Sequence, residues 1–468
     1  MKEFTIVLYA GGHNRVITDS SLPKALLPVA NRPLIWYTLQ IIQSHPSLAS
    51  SPLLVLTSGQ YRQAFDDYLS TLNITYEIVI YRQHHESTST GGGGGDDQQQ
   101  VQDELGTLDV LRSCYSRIRT ESICLLTCDL FGKVNLTPLI NMFRVRDASL
   151  CMLLLKTTTS ATGKEAVAQP GQKTKFTPEP EYYTVDQSTN SITSIRLKAD
   201  LDESFSLRQA ILVKYPRTTI RTDLVDAHFY LIKKSCLDIA NRSSFSSFRK
   251  EFLPKLIQQI ATDKPLEDLI AQGNNSKLMM MRQKTMDMDD HGDLTRILEQ
   301  YDCDDKQIRG GCYYHTNDTQ LFRVKHVLAY LEANRQASLL ISSYTNEDIT
   351  FKDRLEQIQI GTDCVVGDGY DIGKKTTIRR TMIGKNCRIE DKCKITNCVL
   401  LDNVNVKEGV TLQNSILCSR STIGTKCEIQ NSIVCFNQQI EGNRKLNGET
   451  ISASSNETVE YMLLDDEP

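Results

Sequence analysis

The sequence predicts a doubly wound, Rossmann-like α/β domain followed by a parallel β-helix. Three observations carry that expectation. Short apolar runs alternate with amphipathic stretches up to Leu155, a glycine turn at Gly11 and Gly12 closes the first apolar run, and aliphatic residues recur every 17 residues between Ile360 and Ile440.

Residues 4–10, 53–57, 77–81, 122–126 and 150–155 read as strands, with helix-like segments between them, which predicts a parallel sheet. Residues 84–102 contain Gly91 to Gly95, then Asp96, Asp97 and three glutamines; a stretch so polar cannot bury enough surface to order itself, so a disordered loop is expected there. A second polar insertion spans 157–180. Further strands are expected near 192–195 and 227–233, a helix over 245–268, and a flexible stretch over 273–292. These signals divide the chain into an α/β domain over 1–310, a connector over 311–355, a β-helix over 356–440 and a polar tail over 441–468.

The 17-residue period resolves into three registers. Ile378, Ile395, Leu412 and Ile429 share one; Val366, Ile383, Leu400, Leu417 and Val434 share the second; Ile372, Ile389, Val406, Ile423 and Ile440 share the third. Steps of six, six and five predict three short strands per triangular coil, each sending one aliphatic side chain inward. Coils stacked at about 4.8 Å place equal offsets over one another, so Asn397, Asn414 and Asn431 should form a ladder. Gly361, Gly367, Gly373, Gly384 and Gly424 are expected at corners, where tolerance of positive φ is useful. A β-sandwich would instead alternate with period two. Residues 441–455, or a partner chain, are expected to cap the solenoid's end.

With 468 residues the chain holds two or three domains, and a net charge of −4 argues against broad binding to nucleic acid or anionic membranes. Met1 to Phe4 lead directly into the first strand without a signal sequence, and no apolar run is long enough to span a bilayer. The 14 cysteines form no C-x-x-C pair and no metal-ligand cluster with histidine, as expected of buried thiols in a reducing cytosol, so a cytoplasmic location is expected.

The first strand and its glycine turn are followed by Arg15, then Leu22-Pro23-Lys24 and Leu26-Leu27-Pro28-Val29. A first strand-to-helix turn exposes backbone N–H groups, so Gly11, Gly12, Arg15 and Lys24 are placed to hold phosphate. Asp129 closes a later strand, and Gly106-Thr107-Leu108-Asp109 forms a loop. Together these residues resemble the sugar-phosphate nucleotidyltransferase family, whose signature is G-G-x-G-T-R followed by P-K. The resemblance implies nucleotide contacts at Gly11, Gly12, Arg15, Lys24, Gly106 and Thr107, and a magnesium-binding role for Asp129. The turn Gly11-Gly12-His13-Asn14-Arg15 is one residue shorter than the family's and lacks its third glycine and its threonine, which redirects the N–H groups around phosphate. Asp223 and Asp226 are the candidates for a second metal carboxylate. The seven contacts are therefore read as vestigial, with no catalytic residue, metal or cofactor assigned. Otherwise Arg15 and Lys24 are surface cations, His13 is a surface histidine, and Asp129 caps a turn.

More specific text lies in Asn31-Arg32-Pro33-Leu34-Ile35-Trp36-Tyr37, in Ser247-Phe248-Arg249-Lys250-Glu251-Phe252-Leu253-Pro254, and in Cys312, Arg323, Val324, Tyr330 and Glu332-Ala333-Asn334-Arg335. These segments resemble the gamma-subunit family of translation initiation factor 2B, a guanine-nucleotide exchange factor. That family joins a nucleotidyltransferase-like domain to a left-handed β-helix of hexapeptide type. The epsilon subunit continues into a C-terminal helical domain, whereas this chain ends at Pro468. The resemblance implies a scaffolding subunit that pairs with epsilon and the other subunits and promotes GDP-to-GTP exchange on initiation factor 2, without touching nucleic acid or membrane directly. The alternatives are a catalytic sugar-phosphate nucleotidyltransferase, or an acyltransferase; the latter commonly places a histidine on the coil, and all eight histidines here lie at or before His326.

Overall fold

The computed structural model describes residues 2–11, 22–81, 105–156, 167–168, 175–176, 181–197, 207–264, 269, 310–317, 321–345, 358–361 and 363–452. The loop expected at 84–102, most of the insertion at 157–180, the stretch at 273–292 and residues 453–468 lie outside them.

A ten-stranded sheet organises the first domain. Across it the strands begin at Thr218, Glu181, Ser191, Cys312, Leu150, Leu224, Ser122, Phe4, Leu53 and Tyr76. The four strands Ser122–Thr127, Phe4–Tyr9, Leu53–Ser58 and Tyr76–Tyr81 pair in parallel, as their near-continuous apolar character predicts. The sheet as a whole is mixed rather than parallel, because Leu224–Lys233 lies antiparallel between Ser122–Thr127 and Leu150–Lys156. Alternate residues feed opposite cores: Ile6 and Leu8 pack with Ile35 and Leu39, whereas Val7 and Tyr9 pack with Leu108 and Leu111.

The connector expected at 311–355 is not a separate piece. Cys312–Asn317 enters the sheet parallel to Leu150–Lys156, and Leu321–Arg323 pairs with Leu130–Gly132. Only then does the helix Val327–Thr345 bridge to the coil. Opposite it, Pro28–Val29 and Arg32–Pro33 form a hairpin whose tip residues Ala30 and Asn31 have φ of 46° and 62°, the two positive values a type I′ turn needs.

The coil consists of three parallel ladders of six, six and five strands, with the three expected registers buried inside. Each buried Leu or Ile contributes roughly 1.5–3 kcal/mol of transfer free energy. Leu446 and Ile451 continue two of those registers, and Lys445–Asn447 and Thr450–Ile451 pair with the preceding coil, so the solenoid runs past the expected end at Ile440 and residues 441–451 belong to it. A further apolar series, Val365, Met382, Val399, Ile416 and Ile433, points outward and packs with Val327, Tyr330, Leu331 and Ile341 of the bridging helix.

The asparagine ladder forms as expected: Asn397 Nδ2 donates to Asn414 Oδ1 at 2.9 Å, and Asn414 Nδ2 to Asn431 Oδ1 at 2.7 Å. The corner glycines serve differently from the expectation. Positive φ belongs to other offsets, such as Arg380, Asn397, Asn414, Asn431 and Gly448, or Lys375, Lys392, Gly409, Lys426 and Asn443. Gly367, Gly373, Gly384 and Gly424 sit where coils nearly touch: a Cβ on Gly384 would lie 2.6 Å from the backbone of Leu401. Close approach, not left-handed backbone, selects glycine there.

Candidate functional site

Ligands of open α/β sheets bind beyond the carboxyl ends of the parallel strands. Here Gly11, Tyr81, Thr107 and Asp129 gather at those ends, whereas Gly12, Arg15 and His13 lie outside the described residues. Gly11 is covered. The Tyr81 hydroxyl donates to the Gly11 carbonyl at 3.1 Å, and a Cβ on Gly11 would stand 2.1 Å from that hydroxyl oxygen.

Gly106 and Thr107 are covered as well. A Cβ on Gly106 would meet Ser246 Oγ at 2.1 Å and its carbonyl at 2.4 Å. Thr107 accepts the Tyr9 hydroxyl on its carbonyl at 2.7 Å and the Phe248 N–H on its hydroxyl at 2.9 Å, while Leu108 N–H donates to the Ser246 carbonyl at 2.8 Å. The loop that would face a base is thus packed against residues 246–248.

Asp129 is 2% exposed and surrounded by donors. Lys24 Nζ reaches Oδ2 at 2.8 Å; Arg323 grips both oxygens, Nε to Oδ1 at 3.1 Å and Nη2 to Oδ2 at 2.9 Å; and the Thr127 hydroxyl donates to Oδ1 at 2.6 Å. Burial alone would raise this carboxyl's pKa, but the Arg323 and Lys24 charges reverse that and hold it well below the usual carboxylate range. The group is an anion whose lone pairs are already taken.

Neither candidate second carboxylate opens a metal site. Asp223 pairs with Arg221 on the surface. Asp226 is buried and accepts the His228 N–H at 2.8 Å and the Tyr230 hydroxyl, with Arg249 Nε 3.5 Å away. Burial pushes its carboxyl up. Arg249 also donates to Glu181, which accepts from Tyr183. His228 stands at the irregularity between Asp226 and Tyr230 with φ 51°, and burial beside Arg323 and Arg249 drives its pKa far down, so its ring is neutral. Magnesium demands free oxygen ligands. Among the described residues no three acidic, histidine or cysteine side chains converge to hold a metal, and Asp129 offers no free oxygen. The residues do not fit the ion that the nucleotidyltransferase resemblance implies.

The role of Arg323 was not legible in the sequence, because it lies 194 residues from Asp129. Tyr81 and Ser246 were missed for the same reason. The thiols agree with expectation: every cysteine among the described residues is free and buried, and burial pushes Cys128 and Cys236 up to about 12. No helix among the described residues is long and apolar enough to cross a membrane.

Residues 342–453 match a family model described as the left-handed β-helix domain of the epsilon subunit of eIF2B. Relatives over most of the chain carry another subunit's name. "Translation initiation factor eIF2B subunit gamma" of Dictyostelium discoideum is 22% identical over 396 residues, covering 79% of this chain and 84% of that one. The protein of that name from Schizosaccharomyces pombe is 25% identical over 399 residues, covering 80% and 74%. The chain resembles the eIF2B gamma subunits. A Caenorhabditis elegans protein of the same name is 26% identical over 159 residues, covering 34% of this chain and 37% of that one.

Proposed function

We propose that this chain is a non-catalytic scaffolding subunit of the eIF2B assembly, pairing with the epsilon subunit and supporting GDP-to-GTP exchange on initiation factor 2 in the cytosol. The similarity to gamma-named proteins over about four-fifths of the chain supports its place in that assembly. The single observation that supports lost catalysis is the closed carboxylate: Asp129, where a nucleotidyltransferase would hold its metal, is held instead by Lys24, Arg323 and Thr127. Phosphoryl transfer depends on positioned cations neutralising the triphosphate, and a cation spent on an internal carboxylate cannot do that.

Affinity purification of the tagged full-length chain from its own cells tests the assembly. Recovery with an epsilon-type chain and initiation factor 2 is expected, and recovery as a solitary homo-oligomer overturns the reading. A magnesium-dependent pyrophosphate-release assay with nucleoside triphosphates and a panel of sugar phosphates tests the loss of catalysis. No release is expected; turnover abolished by Asp129→Ala would make the chain a working nucleotidyltransferase.

A further inference from the structure

The two cations on Asp129 stand at the roots of the two segments that grip the coil. Lys24 opens the short turn Lys24–Leu26, which runs straight into the hairpin Pro28–Val29 and Arg32–Pro33. At the hairpin's tip the Ala30 N–H donates to Asn334 Oδ1 of the bridging helix at 2.9 Å, and Asn31 Nδ2 donates to the Ile383 carbonyl of the coil at 3.1 Å. Arg323 closes the strand Leu321–Arg323, the next residue's N–H donates to the Asp129 carbonyl at 2.9 Å, and the bridging helix begins at Val327. That helix returns to the hairpin and to the strand Leu130–Gly132: the Tyr330 hydroxyl donates to the Pro28 carbonyl at 2.5 Å and the Tyr344 hydroxyl to the Gly132 carbonyl at 2.9 Å.

We propose that Asp129 is a positioning residue that staples the hairpin root at Lys24 to the helix root at Arg323, so that the orientation of the β-helix against the α/β sheet is held from the carboxyl end of the strand Ser122–Thr127. The inference rests on these contacts alone and stands whether or not the chain serves in nucleotide exchange. A buried, multiply hydrogen-bonded ion pair fixes geometry more than it adds net stability, because desolvation offsets much of its attraction. Without the carboxylate charge, Lys24 and Arg323 would be two like charges sharing one partly buried site, and each would be driven to move its own segment away. The apolar packing of the helix on Val365, Met382, Val399, Ile416 and Ile433 supplies adhesion but tolerates sliding along the stacked rungs. The directional bonds of Ala30, Asn31 and Asn334 set the register, and Asp129 holds their two roots together.

Hydrogen–deuterium exchange on the full-length chain tests this with three variants. Asp129→Asn should speed exchange about 10-fold or more in both the Pro28–Pro33 hairpin and the first turns of Val327–Thr345, while Phe4–Tyr9 and the coil strands around Leu400 keep their wild-type rates. Lys24→Gln should act mainly on the hairpin and Arg323→Gln mainly on the helix, and that split is a readout that a merely structural burial role would not produce. Exchange rising evenly across the α/β domain in all three variants overturns the proposal, as does unchanged exchange in both arms. If Asp129→Asn does not fold, the two single-cation variants decide it by the same split.

Discussion

The turn around Asp129 and the coil beginning at Gln359 are both held by contacts between residues far from their chain neighbours, but the contacts differ in kind. At the turn each is unique: Lys24 and Arg323 lie 105 and 194 residues from Asp129, and no second copy of the arrangement supports it. In the coil the ladder contacts recur 17 residues on, so an interior rung is held by a like rung on either side. Damage at the turn should therefore spread along whatever it ties together, whereas damage in the coil should stay near the altered rung, as in other solenoids whose repeats contact only their neighbours.

The sharpest way to break this contrast is Asp129→Ala, which leaves Lys24 and Arg323 without their common anion and should cost about 3–5 kcal/mol in denaturant unfolding of the α/β domain. Its pH dependence has a definite sign. The folded carboxyl is held below its ordinary range, so its contribution is full above about pH 5, where it is ionised in both states, and is lost as pH falls below that toward the folded value. The difference between wild type and Asp129→Ala should shrink between pH 7 and pH 3, and a constant difference would refute the ionic account.

Leu417→Ala removes one fully buried coil residue and should cost about 3 kcal/mol, near the middle of the range for such cavities. Exchange should rise in its own and the adjoining rungs while Asp129 and its partners stay protected. A uniform rise would mean that the coil and the turn form one cooperative unit.

The two kinds of coil glycine can be separated next. Gly384→Ala should cost about 2 kcal/mol in thermal unfolding, because the new methyl meets the backbone of the next coil. Gly409→Asn should fall within about 0.5 kcal/mol of wild type, since Asn443 already adopts positive φ at the same offset. Equal effects would remove the distinction drawn between close approach and left-handed backbone.

The smallest effect is expected from Tyr81→Phe, which deletes the bond to the Gly11 carbonyl and should cost about 1 kcal/mol. The ring still covers the glycine, so nucleotide titrated into this variant should produce no heat; heat at micromolar nucleotide would show that the hydroxyl alone closes the turn.

Much of the coil was legible because its information is local and repeated: three aliphatic registers suffice to place strands, interior and ladder. The outward series from Val365 to Ile433 was equally periodic and signals a covered face, yet nothing periodic says what covers it. The positive-φ corners were misread because glycine is ambiguous, serving both left-handed backbone and close contact, while Asn, Lys and Arg at the true corners carry a weaker signal. In the α/β domain the strands were legible from their apolar runs. The antiparallel course of Leu224–Lys233 and the entry of Cys312–Asn317 into the sheet were not, because pairing direction depends on a path through segments with no pattern of their own.

By itself the sequence determined the two architectures and the inward faces of the coil, since hydrophobic period is a property of neighbouring residues. Only the tertiary structure decided that Tyr81 and Ser246 cover the glycines and that Lys24 and Arg323 both settle on Asp129. The reason is physical: the charge state and accessibility of a buried group are set by what chain closure brings within a few ångströms of it, and such partners come from distant parts of the chain.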